Sequence, residues 1–196
     1  MQRELMAWID RQSWLDSAGK SIQQVVGQLY SSAGAGGLAV RDFLHGVWLG
    51  HPLHSVLTDI PLGAYTVGVV LDGMEMVSGD EDYGKGADTA LALGVAGALG
   101  SAVSGITDWQ HTTGSSRRVG LLHATLNTSA LLLYAAALLA GGKRDRRTRW
   151  SLAFLGYAVT TAAAYLGGIL VYDERIGVDH APEKDALPKE FTPVLA

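Results

Sequence analysis

Residues 89–107, TALALGVAGALGSAVSGIT, contain no charged side chain, and Asp88 and Asp108 lie immediately on either side of them. A helix rises about 1.5 Å per residue, so about 20 mostly apolar residues are needed to cross a hydrocarbon core of about 30 Å. An uncharged run of this length between two carboxylates therefore predicts a transmembrane helix.

Three further segments have the same character. Residues 119–142 contain no Asp, Glu, Lys or Arg, and residues 150–172 contain none either. Residues 52–77 are also strongly apolar but carry Asp59 and Asp72. Because a charge in the bilayer is costly, this segment is expected to hide at least one carboxylate inside the protein or near a membrane surface.

The four segments together predict an all-α fold, an integral membrane four-helix bundle. The connections between them are short, so successive helices are expected to pack antiparallel. We place the spans at about residues 52–77, 86–108, 119–141 and 150–172.

The flanking segments are more polar than the spans. Residues 1–37 carry apolar side chains at helical spacing, which predicts an amphipathic interfacial segment that is broken near Gly19. Within it, residues 31–37, SSAGAGG, are typical of a flexible linker. The membrane domain then covers residues 38–172, and residues 173–196 are expected to form a polar C-terminal tail.

Composition excludes several classes of function. The chain has no cysteine, so disulfides, thiolate metal sites and iron–sulfur clusters within this chain are not expected. Its formal net charge is −4 and no basic face is evident, which argues against nucleic acid as a partner. The partner that the composition does predict is the lipid bilayer.

Basic residues predict the orientation. The connection between the third and fourth spans, GKRDRRTR, carries five of them. The positive-inside rule therefore favours a cytoplasmic position for this connection and an extracytoplasmic position for both termini.

Polar side chains on each span fall on one helical face and are expected to point into the bundle. The interior positions predicted in this way include Tyr65, Asp72, Asn127 and Tyr165. The four stripes are His54, Thr58, Tyr65 and Asp72; Ser101, Ser104, Asp108 and His111; His123, Asn127 and Tyr134; and Tyr157, Thr161, Tyr165, Gly168 and Tyr172.

The six histidines are expected to gather at one end of the bundle. Antiparallel spans bring the start of the first and third spans and the end of the second and fourth to the same membrane face. The histidines all lie near these points, together with two carboxylates and two arginines: His45, His51, His54, His111, His123 and His180, with Asp59, Asp108, Arg117 and Arg118.

This cluster is compatible with a haem site, a metal site, a proton relay or a structural hydrogen-bond network. Imidazole is a common ligand of transition metals and of haem iron. A haem b would take its ligands from His51, His54 and His123, with Arg117 and Arg118 available to its propionates. A non-haem metal would instead draw its ligands from a wider set: His51, His54, His123, Asp59, Asp108 and His111.

Four blocks of sequence resemble the bacterial domain-of-unknown-function family 2231. They are LHGVWLGHPLHSVLTDIPLGAYTVGVVLD (44–72), TDW (107–109), RRVGLLHATLN (117–127) and YLGGILVYDERIGVDH (165–180). The resemblance implies a four-span protein of the bacterial inner membrane. Its recurring positions here are His45, His51, His54, Asp59, Asp72, Asp108, Arg118, His123, Asn127 and His180.

The resemblance also implies an association with membrane electron transfer, because relatives are often joined to a C-terminal Rieske-type 2Fe–2S domain. The tail LPKEFTPVLA is similar to the linker that leads into that domain. Relatives often have histidine at the position of Ile169, and this chain departs from that pattern. A ligand from the fourth span is therefore in doubt.

Three hypotheses of function follow from these observations. The first is a membrane electron-transfer subunit or anchor that binds a haem b or metal and works with a Rieske-type or other redox partner. The second is a scaffold without a cofactor. The third is a small proton- or ion-coupled carrier that uses Asp72 and acts as a homo-oligomer, although no inverted repeat is evident. The sequence contains no nucleophile–base motif that would favour an enzyme.

Overall fold

The structure is a computed structural model that describes residues 2–141 and 145–176. Within these ranges it contains helices and turns and no β-strand. The helices are α1 (Gln2–Asp10), α2 (Ser13–Ser32), α3 (Gly34–Leu44), a short 3-10 helix (Val47–Leu49), α4 (Leu53–Ser78), α5 (Glu81–Trp109), α6 (Gly114–Gly141) and α7 (Arg146–Tyr172).

The four long helices α4 to α7 are long and apolar enough to cross a membrane, which confirms the predicted spans. The helices extend into the polar connections because capping side chains start them there. Asp80 accepts a hydrogen bond from the backbone N–H of Asp82 at the start of α5, and Asp145 accepts one from Thr148 at the start of α7. Their outer faces expose large apolar side chains such as Val67, as expected of a surface that faces lipid.

The bundle is built from two helical hairpins. Helix α4 packs most extensively against α5, and α6 against α7, while the hairpins meet through α4 with α7 and α5 with α6. Helices α4 and α6 run in the same direction because one antiparallel helix separates them along the chain. The same holds for α5 and α7.

The first helices of the two hairpins carry the same pair of side chains. Tyr65 lies eleven residues after His54 on α4, and Tyr134 lies eleven residues after His123 on α6. The two tyrosine rings stack on each other across the bundle, with their centroids 3.6 Å apart and an interplanar angle of 13°. Equivalent residues of the two hairpins thus meet at the centre.

The second helices repeat as well. Gly94 of α5 lies seven residues before Ser101, and Gly156 of α7 lies seven residues before Ala163. Both glycines face the tyrosine of their own hairpin. The backbone carbonyls of Ser101 and Ala163 contact the histidine of the same hairpin, His54 and His123 respectively. The hairpins are therefore two repeats, related by an approximate two-fold axis that runs along the bundle. Such a repeat is parallel rather than inverted.

The interior face of α7 differs from the predicted one. Tyr165 is 43% exposed, and Thr161 is exposed, so the predicted interior position of Tyr165 is wrong. The buried face carries Gly156, Thr160 and Ala163 instead. Small side chains on this face let α7 approach α6 closely, which turns the larger tyrosines outward.

The N-terminal segment also departs from prediction at two points. Helix α2 runs through Gly19 without a break. This glycine is buried, and a Cβ atom there would lie 2.8 Å from the Arg117 side chain, so glycine at this position makes room for Arg117. The predicted linker at residues 31–37 is instead helical on both sides of Ala33, because α2 ends at Ser32 and α3 begins at Gly34. At Gly37 a Cβ atom would lie 2.1 Å from the Tyr30 carbonyl oxygen, so this glycine serves a close contact between α2 and α3. Most of the predicted C-terminal tail lies outside the described residues.

Candidate functional site

A cavity of about 610 Å³ lies within the bundle at the end where the histidines were predicted. All four spanning helices line it, and Ile22 of α2 lines it from the end of the bundle. Most of its wall is apolar, and the polar side chains include His54, His123, Asn127 and Thr160. It reaches as far as Tyr65 at the centre of the bundle.

His54 is held in one orientation by α5. Its Nδ1 atom lies 2.8 Å from the backbone carbonyl oxygen of Ser101 and 3.1 Å from the Ser101 hydroxyl. The ring fits against Gly105, where a Cβ atom would lie 2.7 Å from ring atoms. Glycine at this position therefore makes room for the imidazole.

His123 is held by α7 in the same way. Its Nδ1 atom lies 2.8 Å from the backbone carbonyl oxygen of Ala163, and a Cβ atom at Gly167 would lie 3.0 Å from the ring. The side-chain nitrogen of Asn127 lies 3.0 Å from His123 Nε2. The two imidazole rings, His54 and His123, stand edge to face with their centroids 6.5 Å apart.

These contacts assign the ring tautomers. A backbone carbonyl oxygen can only accept a hydrogen bond, so Nδ1 of each histidine must carry the proton. In the neutral rings the lone pair is then on Nε2, and Asn127 donates to that of His123. An N–H held by a carbonyl with the other nitrogen left as the base is the arrangement found in metal-binding histidines.

The remaining residues predicted to bind a metal are not assembled around this pair. His45 Nδ1 pairs with Asp108 Oδ1 at 2.7 Å, and His51, Asp59 and His111 are exposed. Within residues 2–141 and 145–176, no group of three or more histidine, aspartate or glutamate side chains is placed to hold a metal ion. Of the predicted ligands among the described residues, His54 and His123 are the pair whose rings meet in the cavity, and His180 lies outside the described residues.

Comparison with protein families identifies the chain. The family model described as a predicted membrane protein, DUF2231, matches residues 50–180. The chain belongs to the DUF2231 family. Comparison with curated proteins and with solved structures gave no match. The match begins just before α4, so the family's segment contains both repeats and all residues that line the cavity except Ile22.

Arg117 and Arg118, predicted to serve haem propionates, contact the N-terminal helices instead. Arg118 donates from Nη2 to Asp16 Oδ2 at 2.6 Å, and Arg117 donates from Nε to Gln23 Oε1 at 2.9 Å. The hydrogen bonds from Arg118 hold the pKa of the Asp16 carboxyl below its ordinary value. Neither arginine lines the cavity, and together they fasten α2 to the start of α6.

Ile169, the position at which the family resemblance led us to consider a ligand from the fourth span, is buried in an apolar cluster. Its neighbours there include Ile9, Leu15 and Val119. This cluster joins α1 and α2 to the bundle, so the isoleucine side chain contributes to docking of the N-terminal helices.

The sequence did not predict an ion cluster at the opposite end of the bundle. Arg149 of α7 contacts Asp72 and Glu75 of α4, and all three are buried. Arg149 was assigned to the third connection because it precedes the uncharged run, whereas α7 begins before it. The sequence does contain a feature that could have predicted this cluster. Asp72 and Glu75 lie three residues apart on one face of an apolar helix, and two carboxylates inside a membrane protein are expected to pair with a buried cation.

Proposed function

We propose that this DUF2231 protein is a membrane electron-transfer subunit that holds a haem b between His54 and His123. The observation that carries the proposal is the equivalence of these two histidines. Each comes from the first helix of its hairpin, each has Nδ1 held by a carbonyl, and the two rings lie 6.5 Å apart.

His54 and His123 would hold the haem iron through Nε2, because Nδ1 of each ring donates to a backbone carbonyl. The rings stand edge to face with their centroids 6.5 Å apart, so one ring would have to turn before both Nε2 lone pairs could face one metal atom. At His123 the metal bond would replace the hydrogen bond that Asn127 donates to Nε2.

The cavity supports a large and mostly apolar ligand better than a small ion. Its volume of about 610 Å³ lies within the range of small-molecule and cofactor sites, about 300–1,000 Å³. A non-haem ion would need further ligands, and no group of three or more histidine, aspartate or glutamate side chains among the described residues is placed to hold one. A haem iron with two imidazole ligands supplies one-electron transfer.

The test is the absorption spectrum of the full-length protein, expressed with a haem precursor and purified in detergent. We expect a Soret band that shifts on reduction with dithionite in the wild type and in the His111→Ala control, whose side chain is exposed. The band should be lost in His54→Ala and His123→Ala to a similar extent, because the two ligands are equivalent. A wild-type protein with no Soret band and no stoichiometric metal would refute the proposal.

A second candidate function is a membrane scaffold without a cofactor. It is favoured by the hydrogen bonds that already satisfy both Nδ1 atoms and His123 Nε2. In that case, the double variant His54→Gln and His123→Gln should fold and bind its partner as the wild type does. For the electron-transfer subunit, the same double variant should retain the fold and lose the spectrum.

We further propose a bacterial inner-membrane location with the histidine end facing outward, where a Rieske-type or other redox partner would dock. The chain has no cysteine, so one introduced cysteine reports sidedness without background. Thr113→Cys at the histidine end should react with an impermeant maleimide in intact spheroplasts, and Asp80→Cys at the other end should react only after lysis. The reverse pattern would invert the orientation.

A further inference from the structure

The ion cluster at the end opposite to the histidines contains more buried carboxylate than buried cation. Arg149 Nη2 lies 2.6 Å from Asp72 Oδ1 and also contacts Glu75. The side chains of Asp72, Glu75 and Arg149 are 0%, 6% and 7% exposed. Two carboxylates are thus buried with one guanidinium.

The surrounding charges do not remove this excess. Arg146 of α7 lies 3.1 Å from Glu75, and Asp88 of α5 lies 3.5 Å from Arg149, so this more exposed layer adds one charge of each sign. Farther out, exposed Glu81 lies 3.7 Å from Arg146, and exposed Lys85 pairs with Asp82, so this layer supplies no excess positive charge. The five inner residues, Asp72, Glu75, Asp88, Arg146 and Arg149, therefore keep a formal charge of −1 when every carboxyl is ionised. An uncompensated buried charge is strongly unfavourable.

Asp72 is the carboxyl that is least satisfied. Glu75 uses one oxygen with Arg149 and the other with Arg146. Asp72 forms an ion pair with Arg149 alone among the described residues, and neither of its oxygens receives a hydrogen bond of normal geometry. A buried carboxylate normally accepts several hydrogen bonds, whereas a protonated carboxyl needs fewer.

Water can approach this cluster from the end of the bundle. A polar cavity of about 510 Å³, which we call the vestibule, is lined by Glu75, Asp88, Arg146 and Arg149 among others. Asp72 does not line the vestibule, but Arg149 lines it and also contacts Asp72. The vestibule thus brings water to within one side chain of the buried carboxyl.

We propose that Asp72 is a proton-binding site that exchanges its proton with water through the vestibule. The proton neutralises the excess carboxylate, and Arg149 keeps the site polar in both states. Eighteen residues separate Asp72 from His54 on α4, which is about 27 Å at about 1.5 Å per residue. The site is therefore independent of the histidine cavity and of any cofactor bound there.

The test is infrared spectroscopy of the full-length protein in liposomes, in the region of the carbonyl stretch of protonated carboxylic acids. We expect a band at neutral pH that shifts in D₂O and loses intensity as the pH is raised. Asp72→Asn should abolish the band, because asparagine cannot carry the proton. Asp59→Asn, an exposed position on the same helix, should leave it unchanged.

Isotope labelling keeps the test decisive if Asp72→Asn does not fold. In the wild-type protein the band should shift with carboxyl-labelled aspartate and not with labelled glutamate. Absence of a protonated carboxyl band at every pH above 5 would refute the proposal, as would its persistence in Asp72→Asn. Loss of the band on addition of Na⁺ at constant pH would also overturn it, since the site would then be a cation site.

Discussion

The two glycines that face the central tyrosines offer a matched pair of substitutions. Gly94 and Gly156 occupy equivalent positions in the two repeats, but their contacts are not equally close. At Gly94 a Cβ atom would lie 2.4 Å from Tyr65 Cε1, whereas at Gly156 it would lie 3.1 Å from Tyr134 Cε1. The pair therefore separates the effect of contact distance from the effect of helix position.

Gly94→Ala is expected to be the more destabilising substitution. An ordinary contact for a Cβ atom is 3.4–4 Å, so the Tyr65 ring would have to move by about 1 Å. The ring also stacks on Tyr134 with the centroids 3.6 Å apart, which limits how far it can move. Overpacking of this kind costs about 1–3 kcal/mol, and we expect a value in the upper half of that range.

Gly156→Ala requires a shift of only a few tenths of an ångström. Replacing glycine with alanine inside a helix favours folding by up to about 1 kcal/mol, so the net effect at Gly156 should be near zero. The control is Gly63→Ala on α4, where a Cβ atom would meet nothing within 4 Å. The control measures the helix contribution alone, and subtracting it from the Gly94→Ala value leaves the steric penalty.

The assay is reversible unfolding in mixed detergent micelles, with increasing SDS and helicity followed by circular dichroism. After subtraction of the Gly63→Ala value, Gly94→Ala should lower the free energy of unfolding by about 2–3 kcal/mol. Equal values for Gly94→Ala and Gly63→Ala would refute the stacked-tyrosine centre. A larger effect at Gly156 than at Gly94 would refute the assigned contacts.

Two further predictions concern the histidine end. Hydrogen bonds from Arg118 lower the pKa of Asp16, so the ion pair should hold α2 on the bundle at every pH above the ordinary carboxyl pKa of 3.8. The pair should weaken as the pH falls through the lowered pKa of Asp16 in the folded protein. Protease sensitivity of α2 should therefore rise at acid pH, whereas Asp16→Asn should show no such dependence. Gly46→Ala should destabilise the turn before α4 by at least about 1–2 kcal/mol in the same SDS assay, because φ is +77° and a Cβ atom would lie 2.0 Å from the His51 carbonyl oxygen. Gly50→Ala, with φ of +72° and open space, should show the backbone part alone, and equal effects of the two would contradict the close contact.

The spans were predictable because transfer from water into the bilayer depends on the polarity of each residue separately. A segment such as 89–107 contains no charge, and a chain inside hydrocarbon must satisfy its own backbone hydrogen bonds as a helix. The position of His54 and His123 at one end followed from counting antiparallel spans. Membership of the DUF2231 family was likewise evident from blocks of sequence such as RRVGLLHATLN, and the family match confirmed it.

The faces of the helices were harder to predict. Polarity suggested that Tyr165 points inward, but small residues such as Gly156 and Ala163 decide how closely α7 approaches α6. A tyrosine can also lie at the lipid surface with its hydroxyl near the interface, so its polarity alone does not define an interior face.

The sequence by itself therefore determined that this chain crosses a membrane four times and that His54 and His123 lie at the same end. Only the tertiary structure decided which histidines face each other. His54 and His123 are brought together by the two-fold relation between the hairpins, and this relation is hard to see in the sequence because the two hairpins have few identical residues. The structure alone also joined Arg149 to Asp72, because partners 77 residues apart meet only when α4 and α7 pack. Hydrophobicity acts on each segment independently, whereas ion pairs and ring contacts depend on distances that only the assembled bundle defines.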